Sequence, residues 1–117
     1  LAKSLAIGDP AAGPYAVQTL QETGGTAVAA PEDDIVEGIK LLAETEGIFT
    51  ETAGGVVISG LRKLAESGAI KRDEVTVAFI TGNGLKTQEV VSDIADPVNI
   101  KPTYTSFETN MAAYLKG

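Results

Sequence analysis

The sequence predicts an α/β fold, three-layer-like, with a small and mostly parallel sheet. Runs of apolar and β-branched residues alternate with segments of helical periodicity, an order typical of parallel strands joined by helices. The run EVTVAFI, residues 74–80, is almost wholly apolar, as expected of a central strand covered on both faces. Few other runs have a strand pattern, so the sheet is thin and its edges need a further partner.

The first third of the chain predicts one helix and one strand. Residues 15–23, YAVQTLQET, follow Pro14, which suits a first helical position, and Gly24 ends the helical pattern. The next run, TAVAAP at residues 26–31, is small, apolar and β-branched and stops at a proline. These features favour a short strand.

The middle of the chain predicts two helices. Residues 32–47, EDDIVEGIKLLAETEG, begin with acids that suit the positive end of a helix dipole, and Gly47 supplies a C-cap. The stretch IFTET, residues 48–52, is compatible with a short strand or a loop. Residues 56–68, VVISGLRKLAESG, predict a second helix that ends at Gly68.

The last third of the chain predicts two more helices with an extended segment between them. Residues 86–95, KTQEVVSDIA, predict a helix that a following proline stops. Residues 97–104, PVNIKPTY, contain two prolines and are therefore expected to be extended. Residues 105–116, TSFETNMAAYLK, predict a closing helix in which Thr105 and Glu108 form a capping box.

Length, charge and composition exclude several classes of function. A chain of 117 residues is expected to form a single domain, residues 1–117, around one core. Its net charge of −7 repels polyanions, so neither a nucleic acid nor an anionic membrane is an expected partner. The sequence has no Cys and no His, which excludes a thiolate nucleophile, a Ser-His-Asp relay and a Cys or His zinc site. We therefore expect neither a metal site nor a self-contained hydrolase.

The stretch FITGNGLKT, residues 79–87, has three interpretations. A nucleotide-binding P-loop ends in Gly-Lys-[Ser/Thr], but here Leu85 separates Gly84 from Lys86, which argues against nucleotide hydrolysis. An ordinary strand-to-helix turn explains the glycines without any ligand. The third interpretation is a ligand site, because ligands of open α/β sheets lie beyond the carboxyl ends of parallel strands, where Thr81 falls.

The stretch TEGIFTETAGG, residues 45–55, carries two acids. Paired acids are compatible with acid–base chemistry. Glu46, however, is expected to end a solvated helix face. Glu51 either stabilises the N-terminus of the next helix through its charge or contributes to a site.

Three stretches taken together closely resemble the C-terminal part of threonine synthases, which are pyridoxal-phosphate enzymes of fold type II. They are SLAIGDPAAGPYA, TEGIFTETAGG and VAFITGNGLKT, in this order, and the resemblance runs from about Ser4 to about Val91. It implies an incomplete part of the large domain of that fold and pyridoxal phosphate as the cofactor. The implied enzyme is cytoplasmic and converts O-phosphohomoserine and water to threonine and phosphate.

The resemblance also implies that Thr81, Gly82, Asn83 and Glu51 contact the cofactor. Thr81 stands where the family has a hydroxyl that hydrogen-bonds the pyridine nitrogen, a neutral partner that tunes the electron sink. Gly82 would let the backbone approach the ring. Glu51 matches the glutamate of the family's Glu-Pro-Ala-Gly-type stretch, but Thr52 replaces the proline, so a looser turn is expected.

Two parts of the complete site are missing from the sequence. The family's Schiff-base lysine lies in a Ser-Phe-Lys-Asp-Arg-like motif and its cofactor phosphate in a separate glycine-rich loop, and this sequence contains neither. We therefore expect part of a longer enzyme, with no catalytic residue of its own and no activity alone. The expected partners are the N-terminal portion of the same enzyme, the substrate O-phosphohomoserine and, in a homo-oligomer, further copies. The alternative is a small regulatory or ligand-binding α/β module that senses an amino acid or a phosphorylated metabolite.

Overall fold

Helices make up the regular structure in this computed structural model, which describes residues 1–94 and 98–112. The α-helices are α1 (Gly13–Thr23), α2 (Glu32–Glu46), α3 (Thr52–Glu66) and α4 (Tyr104–Met111). Short 3-10 turns span Lys3–Leu5, Gly84–Lys86 and Gln88–Val91. The first three helices confirm helices predicted from the sequence, and α3 begins earlier than predicted.

The hydrophobic core lies between α2 and α3. The apolar residues of α2 recur at helical spacing, so they form one stripe that packs against α3. The buried apolar side chains are Ile35, Ile39, Leu42, Ile58 and Val91. At the rim of this pair, Lys63 of α3 reaches Asp34 of α2 at 3.6 Å and donates a hydrogen bond to the carbonyl of Ala29 at 2.9 Å.

Two glycines allow α2 and α3 to approach closely. A Cβ atom at Gly38 of α2 would lie 2.5 Å from the carbonyl oxygen of Gly55 in α3. A Cβ atom at Gly55 would in turn meet the side chain of Ile39 at 2.9 Å. Side chains at these two positions would push the helices apart, so backbone meets backbone at the centre of the pair.

Left-handed glycines end the first two long helices. Gly24 follows α1 with φ of 65°, and Gly47 follows α2 with φ of 68°. The N–H of Gly24 donates to the carbonyl of Leu20, and that of Gly47 donates to the carbonyl of Ala43. Because glycine adopts positive φ without a steric cost, these positions stop the helices as the sequence predicted.

The predicted sheet does not form within the described residues. Segments 26–31 and 74–80, both predicted as strands, run without strand partners, and none of the backbone N–H groups of residues 75–81 bonds to the described part of the chain. The side chains of Val75, Val77 and Phe79 are 96%, 71% and 77% exposed. A strand requires a neighbour for its backbone groups, and the described residues supply none. The β pairing of the described residues is limited to one isolated antiparallel bridge, between Thr50 and Asn83.

Two other predictions differ from the structure. The helix predicted over residues 86–95 is replaced by two 3-10 turns up to residue 91, because Thr87, with φ of −140°, interrupts the helical backbone. The helix α4 begins at Tyr104, and its N-cap is Thr103, whose hydroxyl accepts a hydrogen bond from the N–H of Ser106 at 3.3 Å. The capping box predicted at Thr105 is therefore wrong. Ala95, Pro97 and residues 113–116 of these predictions lie outside the described residues.

The chain is elongated, and the main packing between helices in the described residues is that of α2 against α3. The radius of gyration is 18.7 Å, whereas a compact domain of this length has about 13 Å. Helices α1 and α4 bury none of their side chains. Among the described residues, no helix is both long enough and apolar enough to cross a membrane.

Candidate functional site

The two motif-bearing segments, residues 48–52 and residues 81–87, meet in space. Gly84 donates its N–H to the carbonyl of Phe49 at 3.0 Å, and Glu51 donates its N–H to the carbonyl of Gly82 at 3.2 Å. These two bonds frame the bridge between Thr50 and Asn83. The TGNG loop is therefore fixed to the turn that precedes α3, and this brings Glu51 to Gly82, as the candidate site requires.

Thr50 adds a side-chain bond to the same junction. Its side chain is fully buried, and its hydroxyl donates to the carbonyl of Gly82 at 3.0 Å. The same hydroxyl and the methyl group of Thr50 both lie against the Cα of Gly54 in the first turn of α3, where an added Cβ would clash with the hydroxyl oxygen and lie 2.7 Å from the methyl carbon. Thr50 thus touches both the loop and α3.

Glu51 occupies the N-cap position of α3, but its side chain does not cap the helix. The carboxylate instead lies against the Cα of Gly82, in the space that any side chain at position 82 would need. One carboxylate oxygen lies 3.7 Å from the ammonium group of Lys86. Glu51 thus lies both at the N-terminus of α3, where its negative charge is favourable, and against the loop, so both roles weighed for it stay open.

Thr52 stands where the family resemblance leads one to expect proline. Its N–H donates to the hydroxyl of Thr87 at 3.2 Å, and its own side chain is almost completely buried. A proline has no N–H and could not make this bond. The expected loosening of the turn is therefore offset by a tertiary hydrogen bond that ties α3 to the end of the loop.

Thr81 is the exposed residue at the start of the loop. It follows the extended segment 75–80 directly, whereas Gly82 and Gly84 behind it are buried. The ring of Phe49 fills the space over Gly84, where an added Cβ would meet ring atoms at 2.5 Å. Asn83 is exposed, and its side-chain oxygen accepts the N–H of Leu85 at 2.9 Å. The loop therefore has a packed back and presents Thr81 and Asn83 to the outside.

A cleft of about 500 Å³ opens beside this junction. Its polar lining includes Glu51 and Thr52 from the start of α3 and Lys86 and Thr87 from the loop, and Lys3, Ser4 and Glu89 complete it. Thr81, Gly82 and Asn83 are not among the residues that line it. Of the four predicted contact residues, only Glu51 faces this cleft, and Thr81 faces solvent.

Sequence reasoning missed two residues of this junction, Thr50 and Thr87. Each makes a hydrogen bond to a residue more than 30 positions away in the chain. Thr50 follows two apolar residues, Ile48 and Phe49, and this was the available signal. A hydroxyl that is buried beside such residues needs a hydrogen-bond partner. Nothing in the local sequence around Thr87 indicates its partner.

The backbone behind the exposed Thr81 is held in place by hydrogen bonds. The loop has little freedom, since three backbone or hydroxyl donors from residues 50–52 bond to it. Glu51 and Lys86 add one negative and one positive charge at its edge. The junction therefore presents the exposed Thr81 on a restrained backbone, with both charges beside it.

The chain is similar to known proteins over most of its length. Residues 1–82 match the family described as pyridoxal-phosphate dependent enzyme, a region that includes Glu51, Thr81 and Gly82. The threonine synthase of Methanocaldococcus jannaschii is 41% identical over 102 residues, which is 86% of this chain and 25% of that protein. The enzyme of the same name from Bacillus sp. (strain ULM1) is 38% identical over 90 residues, or 77% of this chain and 26% of that protein.

A more distant relative agrees with these two. The threonine synthase of Mycobacterium leprae is 34% identical over 102 residues, or 87% of this chain and 28% of that protein. The chain thus spans about a quarter of the length of the curated relatives that it matches. The resemblance inferred from the three motifs is confirmed, and the family's cofactor is pyridoxal phosphate. The chain belongs to the pyridoxal-phosphate dependent enzyme family.

Proposed function

We propose that this chain is the C-terminal portion of a threonine synthase, which converts O-phosphohomoserine and water to threonine and phosphate. Pyridoxal phosphate supplies the electron sink for this lyase chemistry when it is bound. The proposal is supported by the similarity to threonine synthases over more than three quarters of the chain and by the order of the three motifs. In this role the chain forms one wall of the cofactor site.

The observation that carries the proposal is the exposed hydroxyl of Thr81 on a loop whose back is packed. An exposed hydroxyl at this position fits a heteroaromatic nitrogen, because it can donate one hydrogen bond without adding charge. Glu51 and Phe49 fill the space behind Gly82 and Gly84, so the loop resists displacement toward the protein. The exposed Thr81 and Asn83 therefore fit the edge of the cofactor ring, whereas Gly82 is buried against Glu51 and would support them from behind.

The chain alone does not fit the rest of the cofactor. The sequence contains no Ser-Phe-Lys-Asp-Arg-like motif and no second glycine-rich loop that could hold the phosphate. In our proposal these groups come from the N-terminal portion of the same enzyme, and the isolated chain is inactive. Thr81 then orients the ring, and Glu51 holds the loop in place.

The same proposal accounts for the extended segments. Segments 26–31 and 74–80 become strands of a mostly parallel sheet when the remainder of the enzyme supplies neighbours. Their exposed valines and Phe79 then become buried, and their backbone N–H groups are paired. The α2–α3 pair covers one face of this sheet.

The proposal is tested in the intact protein that contains this chain. Thr81→Ala should lower kcat about tenfold, the value of one hydrogen bond to the bound ring, with the thermal unfolding midpoint unchanged. Thr105→Ala, which removes an exposed hydroxyl from α4, is the matched control and should have wild-type kinetics. Unchanged turnover of O-phosphohomoserine in Thr81→Ala would contradict the assignment.

A separate measurement tests whether the isolated chain binds the cofactor or the substrate without the N-terminal portion. Calorimetry of the isolated chain with pyridoxal phosphate, O-phosphohomoserine and threonine should detect no binding that fits one site per chain. Tight binding of threonine or of a phosphorylated metabolite to the isolated chain would instead favour a regulatory module.

A further inference from the structure

The buried hydroxyl of Thr50 bonds to the loop one residue beyond Thr81. We propose that Thr50 is a positioning residue, whose hydroxyl fixes the peptide that follows Gly82 and thereby the orientation of the Thr81 side chain toward the cofactor ring. This inference rests on the proposed function of Thr81. It adds a second residue to that function, one that never touches the ligand.

The carbonyl of Gly82 needs this second donor. Glycine has the widest choice of backbone angles, so a single bond from Glu51 N–H, at 3.2 Å, leaves the peptide free to rotate about it. The Thr50 hydroxyl, at 3.0 Å, bonds to the same oxygen from a side chain. Two donors on one carbonyl define the peptide plane. The φ and ψ torsions of Gly82 and the ψ torsion of Thr81 lie between that plane and the Thr81 side chain, and the burial of Gly82 against Glu51 restricts the first two.

The surroundings of Thr50 hold its hydroxyl in place. Threonine is β-branched, so few χ1 values are open to it, and contact with Gly54 restricts them further. Its burial excludes water as a competing partner for the carbonyl. The hydroxyl is therefore a donor with a fixed position. Through it, the loop is held in a fixed position relative to α3.

Two substitutions separate the hydroxyl from the shape of the side chain. Thr50→Val keeps the branched shape and removes the donor, whereas Thr50→Ser keeps the donor and removes the methyl group. In the intact holoenzyme, Thr50→Val should raise the dissociation constant of pyridoxal phosphate about fivefold, as the loss of one neutral hydrogen bond predicts. It should also move the near-visible absorption band of the bound cofactor in the same direction as Thr81→Ala does. Thr50→Ser should restore most of both properties.

A double-mutant cycle tests whether Thr50 acts through Thr81. If it does, Thr50→Val combined with Thr81→Ala has the cofactor affinity and spectrum of Thr81→Ala alone. Additive effects, or a Thr50→Val enzyme with a lower unfolding temperature and a wild-type spectrum, would overturn the inference. If Thr50→Val does not fold, Thr50→Ser is compared with Thr50→Ala, and equal spectral shifts in the two would also overturn it. If Thr81→Ala alone changes neither the cofactor affinity nor the spectrum, the proposed function of Thr81 is wrong.

Discussion

The carboxylate of Glu51 lies against the Cα of Gly82 and occupies the position that a Cβ atom would take. This relationship explains why the loop has glycine at position 82. The glycine makes room for a neighbouring side chain that closes the back of the loop and pairs with Lys86.

Gly82→Ala should therefore displace the Glu51 side chain and break its pairing with Lys86. We expect a loss of about 1 kcal/mol in the free energy of unfolding, the lower end of the usual cost of overpacking, because the flexible Glu51 side chain can move aside. Urea denaturation measures this loss. Gly8→Ala is the matched control, because a Cβ atom at Gly8 meets nothing within 4 Å, and its stability should not fall. Equal stability of the two variants would contradict the contact.

A second prediction concerns the closest approach of α2 and α3. Gly38→Ala places a methyl group against the carbonyl oxygen of Gly55, and backbone cannot move aside as a flexible side chain can. The helices must separate, so the free energy of unfolding should fall by about 1–3 kcal/mol or more. A lower midpoint of urea denaturation would measure this loss. A Gly38→Ala protein as stable as the wild type would show that the pair tolerates a wider spacing.

A third prediction concerns the bond between Thr52 and Thr87. Thr87→Val removes the hydroxyl acceptor and should cost about 1 kcal/mol of stability. The same substitution should cost much less in a Thr52→Pro background, since proline lacks the N–H that the hydroxyl accepts. Thermal denaturation of the single and double variants gives the coupling energy. Identical costs in the two backgrounds would mean that the bond contributes nothing.

A fourth prediction has the opposite sign. The hydroxyl of Ser59 in α3 is buried and has no hydrogen-bond partner in the described part of the chain. Ser59→Ala removes this unsatisfied group without adding volume, so it should stabilise the protein by about 1 kcal/mol. Differential scanning calorimetry would detect the rise in Tm. A fall in Tm would mean that the hydroxyl has a partner in the complete protein.

A fifth prediction tests the strands proposed for the complete enzyme. Val77 is exposed in this chain, so Val77→Lys should change the stability of the isolated chain by less than about 0.5 kcal/mol. In the intact protein the same lysine would be buried without a partner and should prevent stable folding. Lys71→Val, at an exposed turn, is a control that should be neutral in both. An intact Val77→Lys protein with wild-type stability would argue against the sheet.

Helices were the predictable part of this fold, because their signals are local. Periodic apolar positions fixed α2, and Gly24 and Gly47 marked helix ends that the structure confirms. Segments 26–31 and 74–80 have equally clear strand patterns, yet a strand also requires a neighbour, which the described residues do not provide. Local composition cannot report the presence of that neighbour.

The candidate site was predictable only in part, for a related reason. The motifs pointed to Glu51 and to the TGNG loop, and the structure brings Glu51 onto Gly82. The hydrogen bonds of Thr50 and Thr87 join positions 32 and 35 residues apart, and no sequence period encodes such pairs. The contact of Thr81 with the cofactor stays a prediction.

The short turn between α2 and α3 has a consequence for how the chain folds. Only residues 47–51 separate the two helices, so closing this hairpin costs little chain entropy and can occur within microseconds. In the complete enzyme that we propose, the two extended segments pair later, with strands that are distant in the chain, and their valines stay exposed until then. Aggregation is therefore expected mainly from the stage at which the hairpin has formed and segments 26–31 and 74–80 are still unpaired.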